Sequence, residues 1–311
     1  MLSGIPIPKD AVRPPETVLV NITPQETRVA VLEENNICEL HIERNSGHSL
    51  VGNIYLGVVR RVLPGMQSAF IDIGLERAAF LHIVDVLEQR RNPEETQRIE
   101  HMLFEGQSVL VQVIKDPINT KGARLSTQIS LAGRFLVHLP QEDHIGISQR
   151  IEDDAERNSL RERLTNLLPE DACHGYIIRT NAENSTDEQL LSDIHYLTKV
   201  WEHIQEQAKT QPPETLLYQD LPLSLRVLRD MFSLDTQKIL VDSTENHRRM
   251  TRFAEQYVHG ALGKIELFKG ERPLFETHNV EQEISRALQP RVNLNFGSYL
   301  IIESTEAMTT I

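Results

Sequence analysis

The chain has 311 residues, of which 40% are apolar and 25% charged, a length and composition typical of a folded protein with two or more domains. It contains no apolar run of about 18 residues and no Cys-x-x-Cys motif, which excludes a membrane-spanning helix and a disulfide framework and favours a reducing cytoplasm. The net charge of −13 argues against broad nucleic-acid affinity, because neutralising phosphates requires Lys and Arg, unless the basic residues are concentrated in one place.

The N-terminal part of the chain predicts a tail followed by three strands. Residues 1–16 contain four prolines and predict a disordered tail before the fold begins at Thr17. The segments TVLVNI, TRVAVLE and CELHIER are predicted strands, because each combines β-branched residues with alternation or a short apolar run. Alternation in the third segment places Cys38, Leu40 and Ile42 on one face.

Five more strands are predicted between residues 47 and 130. They are GNIYLGVVRRVL, SAFIDIG, AAFLHI, SVLVQVI and ARLSTQIS, with one long connection before the fourth. Five short strands with one longer connection favour an OB-type barrel, although other small barrels also use five strands. The chain from residue 111 to 138 is locally basic, with one aspartate against four basic residues: Lys115, Lys121, Arg124 and Arg134.

The predicted hairpin SAFIDIGLERAAFLHI carries two phenylalanines on a polar face. Alternation places Phe70 beside Asp72, while Ile71 turns to the opposite face, and on the return strand it places Phe80 beside His82. Two aromatic rings on an exposed barrel surface are suited to stacking on unpaired bases. The alternative is that both rings pack beneath a neighbouring domain or loop.

After residue 131 the pattern changes to mixed α and β. A helix is predicted in DDAERNSLRERLTNLL, a strand in GYIIRT, and a long helix after a capping box that runs from Ser185 to Glu188. Arg179 and Thr180 end the strand, and a planar guanidinium beside a hydroxyl suits a terminal phosphate. The alternative is a salt bridge and a cap at the end of a strand.

The C-terminal third predicts three helices and three strands. A helix is predicted in PLSLRVLRDMF, a strand in KILVDS, and a helix from near Asp242. A further helix places Val280, Ile284 and Leu288 on one face and ends before the proline at 290. The segments RVNLNF and SYLIIES follow as strands, and the apolar run 300–302 predicts that the second of them is buried.

No complete catalytic site is evident from the residues alone. The sequence contains no phosphate-binding loop of the GxxxxGK[ST] type, no His-Glu-x-x-His helix and no Gly-x-Ser-x-Gly elbow. His195 and His203 lie eight residues apart on the long helix, and we interpret them as part of a solvated helix face in preference to a metal site. Glu303 and Glu306 are likewise interpreted as polar residues that follow a strand.

Several long segments, in order along the chain, resemble the ribonuclease E/ribonuclease G family of bacterial endoribonucleases, and most closely its ribonuclease G branch. They are NITPQETRVAVLE, GNIYLGVVRRVLPGMQSAFIDIGLERAAFLH, VQVIKDPINTKGARLSTQISLAGRFLV, GISQRIE, GYIIRT and STEAMTTI. They extend from about Thr17 to Ile311. Close relatives commonly carry Lys where this chain has Leu56, which suggests weaker phosphate contact there.

The resemblance implies an α+β multidomain fold. A split RNase-H-like subdomain would comprise residues 17–45 and 220–288, after the tail of residues 1–16. An OB-type RNA-binding barrel of the ribosomal-protein S-one class would occupy residues 46–130, and an α/β sensor of the RNA 5′ end would occupy residues 131–219. Residues 289–311 would begin a DNase-I-like catalytic subdomain.

The resemblance also assigns roles to residues of this sequence. The family's RNA-binding aromatic residues match Phe70 and Phe80, and a basic partner matches Lys121, which favours the stacking interpretation of the hairpin. The family's 5′-monophosphate pocket matches four positions, Gly133, Val137, Arg179 and Thr180, with Arg150 nearby.

By resemblance, the whole enzyme would use Mg²⁺ to cut single-stranded, A/U-rich RNA in rRNA maturation and mRNA decay. The magnesium-binding aspartates, and the cysteines that share Zn²⁺ between subunits of the family's homodimers or homotetramers, would lie beyond Ile311, so we expect no catalytic and no metal-binding residue in this sequence. One alternative is a naturally shortened, non-catalytic RNA-binding protein. Another is a protein-interaction scaffold, in which the hairpin phenylalanines would lie beneath a partner.

Overall fold

The computed structural model describes nine stretches of the chain: residues 15–44, 49–86, 98–118, 121–169, 175–183, 185–233, 235–294, 297–306 and 308–311. Most of the predicted N-terminal tail and Cys173 therefore lie outside the described residues. The chain forms two compact units. The split unit combines Met1–His48 with Pro222–Ile311, and the inserted unit is Ser49–Leu221.

The described residues form both strands and helices, which confirms the mixed α and β fold. The strands are β1 (Glu16–Ile22), β2 (Glu26–Glu33), β3 (Asn36–Arg44), β4 (Ile54–Leu63), β5 (Ser68–Asp72), β6 (Ala79–His82), β7 (Ser108–Lys115), β8 (Arg124–Ser126), β9 (Leu131–Ala132), β10 (Leu136–Leu139), β11 (Ile145–Ile147), β12 (Gly175–Ile178), β13 (Thr215–Tyr218), β14 (Thr236–Val241), β15 (Ile265–Leu267), β16 (Arg291–Asn293), β17 (Tyr299–Ile301), β18 (Glu303–Ser304) and β19 (Thr309–Thr310). The α-helices are α1 (Ile99–Met102), α2 (Asp154–Leu167), α3 (Asp187–Thr210), α4 (Leu223–Arg226), α5 (Thr244–Tyr257), α6 (Leu274–Thr277) and α7 (Val280–Ala287).

The split unit contains a five-stranded sheet in the order β15-β14-β1-β2-β3. The first three strands of the chain form an antiparallel meander, and β14 joins it by pairing parallel to β1. Two segments far apart in sequence therefore build one sheet. Its core is formed by buried apolar residues that include Leu19, Leu32, Leu240, Phe275 and Val280.

The inserted unit contains a closed barrel of five strands. The order is β4-β5-β6-β8-β7, and β7 pairs back to β4 to close the barrel. β6 and β8 run parallel, whereas the other neighbours are antiparallel. The five strands expected from the sequence are thus confirmed, and the closed barrel is consistent with an OB-type domain. β13 extends the sheet of the barrel by pairing antiparallel with β4.

A second sheet of the inserted unit has the order β11-β12-β10-β9 and packs against α3. The helix presents an apolar stripe to it, with Leu190, Ile194, Leu197, Trp201 and Ile204 all buried. This stripe matches the helical spacing in the sequence. Leu56, where relatives commonly have Lys, is partly buried and packs on the same core.

The capping box of α3 is one residue later than predicted. The Thr186 hydroxyl, not Ser185, accepts a hydrogen bond from the Gln189 N–H at 3.3 Å, and the Gln189 side chain accepts from the Thr186 N–H at 2.9 Å. Ser185 instead donates its hydroxyl to the Ala182 carbonyl at 2.8 Å, which closes the preceding turn. By sequence, Ser185 and Thr186 are both suitable first residues of a capping box. Because the Ser185 hydroxyl donates to the preceding turn, Thr186 caps the helix.

The C-terminal strands are exposed, so the prediction of a buried strand at 300–302 is wrong. β17 pairs only with β16 within the described residues, and Leu300 and Ile301 are 40% and 49% exposed. A two-stranded ribbon has no second layer to cover its faces, so apolar residues on both faces meet solvent. Leu288 is also exposed, because α7 ends at Ala287, whereas Val280 on the same helix is buried.

Candidate functional site

The two hairpin phenylalanines lie side by side on the outside of the barrel. Phe70 on β5 is paired in register with Phe80 on β6, and their ring centroids are 6.1 Å apart with an edge-to-face tilt of 66°. Both side chains are partly exposed. The alternating neighbours are buried inside the barrel: Ala69, Ile71, Ala79 and Leu81. The barrel therefore presents an aromatic pair, hereafter the aromatic face, as the alternation predicts.

Two further side chains flank the aromatic face. The His82 ring lies 6.4 Å from the Phe80 ring, and Arg124 on β8 is the register partner of Phe80. The Arg124 guanidinium donates to the buried Asp85 carboxylate at 2.8 Å, so part of its charge is already compensated by the protein. His82 was visible in the sequence as the polar neighbour of Phe80, but the approach of Arg124 depends on the parallel pairing of β6 with β8.

Lys121 lies in the segment that leads into β8, where that segment crosses the start of β6. Its backbone forms two hydrogen bonds with Ile118, at 2.9 and 3.1 Å, and its side chain is exposed. Two residues later, the Ala123 carbonyl accepts from the Phe80 N–H at 2.7 Å. At this crossing, a short stretch of backbone therefore connects Lys121 with Phe80.

Gly122 makes the crossing possible because it has no side chain. A β-carbon at this position would overlap the Ala78 carbonyl oxygen and would stand 3.3 Å from the Ala79 Cα. Real β-carbons do not approach backbone atoms so closely, so any larger residue would force the two segments apart.

The predicted 5′-sensor residues cluster at the ends of β10 and β12. The Arg179 N–H donates to the Phe135 carbonyl at 2.8 Å, and its guanidinium Nη1 donates to the Gly133 carbonyl. Thr180 follows directly and begins a short 3₁₀ helix, and Val137 lies on β10 opposite Ile177. Gly133, Val137, Arg179 and Thr180 are therefore brought together around one turn, residues 133–136, hereafter the sensor turn.

Arg150 lies beyond the sensor turn on the chain that follows β11. Its N–H donates to the Ser148 hydroxyl at 3.4 Å, and Ser148 is tied by its own N–H to the Ile178 carbonyl at 2.8 Å. The Arg150 side chain is exposed. Its placement next to the end of β12 is fixed only through this backbone connection.

Asp193 on α3 is a residue of this region that the sequence did not reveal. Its carboxylate accepts hydrogen bonds from the backbone N–H groups of Arg134, Phe135 and Leu136, at 3.2, 2.8 and 2.9 Å. Desolvation raises the pKa of the Asp193 carboxyl above its ordinary value, while these three N–H groups and the charge of Arg179 act in the opposite direction. The available signal was an acidic residue at helical spacing from Leu190 and Leu197 of the apolar stripe.

Within the described part of the chain, no three His, Cys, Asp or Glu side chains come close enough together to hold a metal ion. His195 and His203 are both exposed on α3, and Glu303 and Glu306 are exposed near the C-terminal strands. None of these four side chains therefore belongs to a group of three or more such ligands within the described residues. In the same described stretches, no helix combines the length and apolar character that crossing a bilayer would require.

Comparison with known sequences gives consistent matches over most of the chain. Residues 130–311 match the family model described as Ribonuclease E/G family. The protein named Ribonuclease G of Salmonella typhimurium is 44% identical over 301 residues, which cover 94% of this chain and 61% of that relative. Ribonuclease G of Escherichia coli is 43% identical over the same shares of both chains. Ribonuclease E of Escherichia coli is 36% identical over 307 residues, which cover 94% of this chain and 28% of that relative.

These matches are stronger for proteins named Ribonuclease G than for those named Ribonuclease E. The chain spans less than two thirds of the length of the Ribonuclease G relatives, at 61%. The range matched by the family model, residues 130–311, includes the sensor turn and the C-terminal strands.

Proposed function

The chain belongs to the ribonuclease E/G family, and from this membership we propose that its 311 residues bind single-stranded RNA and read the RNA 5′ end. The observation that carries the proposal is the aromatic face, where Phe70 and Phe80 lie together and partly exposed outside a closed barrel. Aromatic rings on such a barrel are suited to stacking on successive unpaired bases.

The RNA backbone would be bound by basic residues beside the aromatic face. Lys121 is exposed at the crossing of the β8 and β6 segments, so its ammonium group is available to a phosphate. Lys binds phosphate as a point charge and does not read bases, so its contribution is independent of sequence. An overall charge of −13 makes such a local contact more important, because the rest of the surface repels RNA on average.

The 5′ end would be read at the sensor turn. A guanidinium presents planar donors that match phosphate oxygens, and the Thr180 hydroxyl directly follows Arg179. The proposal extends to Gly133, Val137 and Arg150, which the family resemblance assigns to the same pocket. By the family resemblance, this pocket would bind a 5′ monophosphate in preference to a triphosphate.

The wider role proposed for the whole protein follows its relatives. We propose an endoribonuclease in the cytoplasm that acts on A/U-rich single strands during rRNA maturation and mRNA decay, as a homodimer or homotetramer. Magnesium would supply an activated water for hydrolysis, and zinc would link subunits. The proposal assigns the described residues RNA binding and no catalytic step, because the family resemblance assigns the metal-binding residues to positions outside this sequence.

A polypeptide of residues 1–311 is expected to bind RNA without cutting it, because the resemblance assigns the magnesium-binding aspartates to a motif outside these residues. The measurement is incubation of a 5′-monophosphorylated A/U-rich oligonucleotide with this polypeptide and Mg²⁺, followed by gel analysis of the products. A full-length ribonuclease G from one of the relatives serves as the positive control. Specific cutting by residues 1–311 that persists through further purification would contradict the prediction.

Replacing Arg179 by alanine is expected to abolish any preference for 5′-monophosphorylated RNA and to leave the affinity for 5′-hydroxyl RNA nearly unchanged. A hydrogen bond to a charged group contributes about 1.5–3 kcal/mol, so the loss is measurable. Fluorescence anisotropy with two RNAs that differ only at the 5′ end gives the ratio of affinities. Arg161, an exposed arginine of α2, is the matched control as Arg161→Ala. An equal loss of affinity for both RNAs would place Arg179 outside a 5′ pocket.

A further inference from the structure

We infer that Asp193 is a positioning residue for the 5′-phosphate pocket, because its carboxylate clamps the sensor turn that holds Arg179. This inference rests on the proposed 5′ sensing and adds to it a residue from α3, an element that contributes none of the pocket's predicted members. Three features connect Asp193 to the pocket. The carboxylate is hydrogen-bonded to the sensor turn, it lies close to Gly133, and the sensor turn is hydrogen-bonded to Arg179.

The carboxylate holds the sensor turn by three consecutive backbone groups. Oδ1 accepts from the Arg134 N–H, and Oδ2 accepts from the N–H groups of Phe135 and Leu136. Successive N–H groups that converge in this way form an anion-binding concavity. Here a side chain of the protein fills the concavity, so these amides serve to fix the turn and are already used before RNA binds.

The glycine at the start of the turn is required by the same carboxylate. A β-carbon on Gly133 would stand 2.5 and 2.7 Å from the two carboxylate oxygens of Asp193. Gly133 and Asp193 are thus complementary, because the close approach of the carboxylate is compatible only with a residue that has no side chain. This explains the glycine at a pocket position without requiring that it touch the phosphate.

The sensor turn holds Arg179 through two hydrogen bonds. The Gly133 carbonyl accepts from the guanidinium Nη1, and the Phe135 carbonyl accepts from the Arg179 backbone N–H at 2.8 Å. Both acceptors belong to peptide units whose own N–H groups, those of Arg134 and Leu136, bind Asp193. A movement of the turn therefore moves the guanidinium, and the position of the planar donor fork decides how well it meets a phosphate.

The chemistry of Asp193 supports a role beyond packing. It lies at helical spacing within an apolar stripe, where an apolar residue would pack without desolvating a charge. Desolvation raises the pKa of its carboxyl, so the ionised form is disfavoured by this environment. A carboxylate in this environment is consistent with a positioning function, since its two oxygens together accept from three adjacent N–H groups, whereas the side-chain amide of Asn has one acceptor oxygen.

The test compares Asp193→Asn with the parent in the anisotropy assay, using RNAs with a 5′ monophosphate and a 5′ hydroxyl. The expected result is a preference for the monophosphate that falls by about tenfold, with affinity for 5′-hydroxyl RNA unchanged. Glu202→Gln, which removes an exposed carboxylate from the same helix, is the matched control and should behave as the parent. Hydrogen exchange of the amides of residues 134–136 should accelerate in Asp193→Asn and not in the control.

The two readouts separate failure of this inference from failure of the proposed function. If the parent shows no monophosphate preference, 5′ sensing by this polypeptide is wrong, and the exchange data still decide whether Asp193 clamps the turn. If the parent shows the preference and Arg179→Ala removes it while Asp193→Asn keeps it, the positioning role is wrong. Should Asp193→Asn fail to fold, Gly133→Ala displaces the carboxylate from the turn with Asp193 intact. A retained preference in that variant would overturn the inference, and a lost preference together with faster exchange of the amides of residues 134–136 would support it.

Discussion

Replacing Phe70 or Phe80 by alanine is expected to weaken binding of single-stranded RNA by about 1–3 kcal/mol per ring, roughly 5- to 150-fold in affinity. Each ring lies on the outer side of the barrel, so its removal takes away a stacking surface and leaves the buried residues of the same strands in place. Fluorescence anisotropy with a short A/U-rich oligonucleotide measures the affinity, and circular dichroism melting measures the stability of the same samples.

Two further variants serve as comparisons for this prediction. Phe104→Ala removes a ring of the same unit that is 67% exposed and lies outside the aromatic face, so it should bind RNA as the parent does. Lys121→Ala should weaken binding for all sequences and lower the slope of affinity against salt by about one unit, as expected for one lost phosphate contact. If Phe70→Ala and Phe80→Ala bind RNA normally but melt at lower temperature, the rings have a packing role and the stacking interpretation fails.

The aromatic face could be predicted from sequence because strand geometry is local. Successive residues of a strand point to opposite sides, so the apolar positions Ile71 and Leu81 determine where Phe70 and Phe80 lie. The register between β5 and β6 follows from the same pattern, since a slip by one residue would expose the buried set. The stacking role itself came from the family resemblance and stays a prediction until RNA binding is measured.

The sensor turn could be predicted only in part, because it is held by contacts between distant segments. Arg179 and Thr180 stood out at the end of a strand, but Asp193 lies 58 residues from Phe135 and 14 from Arg179 in the sequence. The neighbouring sequence does not distinguish a helix carboxylate that binds the backbone of a turn from one that is solvated. The register error of the cap has a different cause, because Ser185 and Thr186 are both suitable and Ser185 instead donates its hydroxyl to the preceding turn.

Burial near the C-terminal end was the least predictable property. The run Leu300–Ile302 has the composition of a buried strand, yet burial depends on a covering layer that a local pattern does not specify. In the five-stranded sheet, by contrast, the apolar run of β1 is fully buried, and Leu19 packs with Phe275 of α6 and Val280 of α7, which cover that face. The expected RNase-H-like and DNase-I-like assignments of these segments remain predictions from the resemblance.

Gly122→Ala is expected to lower the stability of the inserted unit by about 1–3 kcal/mol, because the added β-carbon would overlap the Ala78 carbonyl oxygen. A backbone atom cannot rotate away as a side chain does, so the segment before β8 must shift from the start of β6. For a unit of this size the melting temperature should fall by roughly 2–12 °C. Differential scanning calorimetry measures the change.

The same substitution is expected to reduce RNA affinity, which connects the packing of the barrel with the proposed function. The hydrogen bond from the Phe80 N–H to the Ala123 carbonyl, at 2.7 Å, spans the crossing that the β-carbon would force open. Phe80 and Lys121 lie on opposite sides of that crossing, so their separation would change together. Gly65→Ala is the matched control, since a β-carbon there meets no atom within 4 Å, and it should alter neither property. A Gly122→Ala variant with parental stability and parental affinity would show that the crossing tolerates a side chain and does not position the RNA-binding residues.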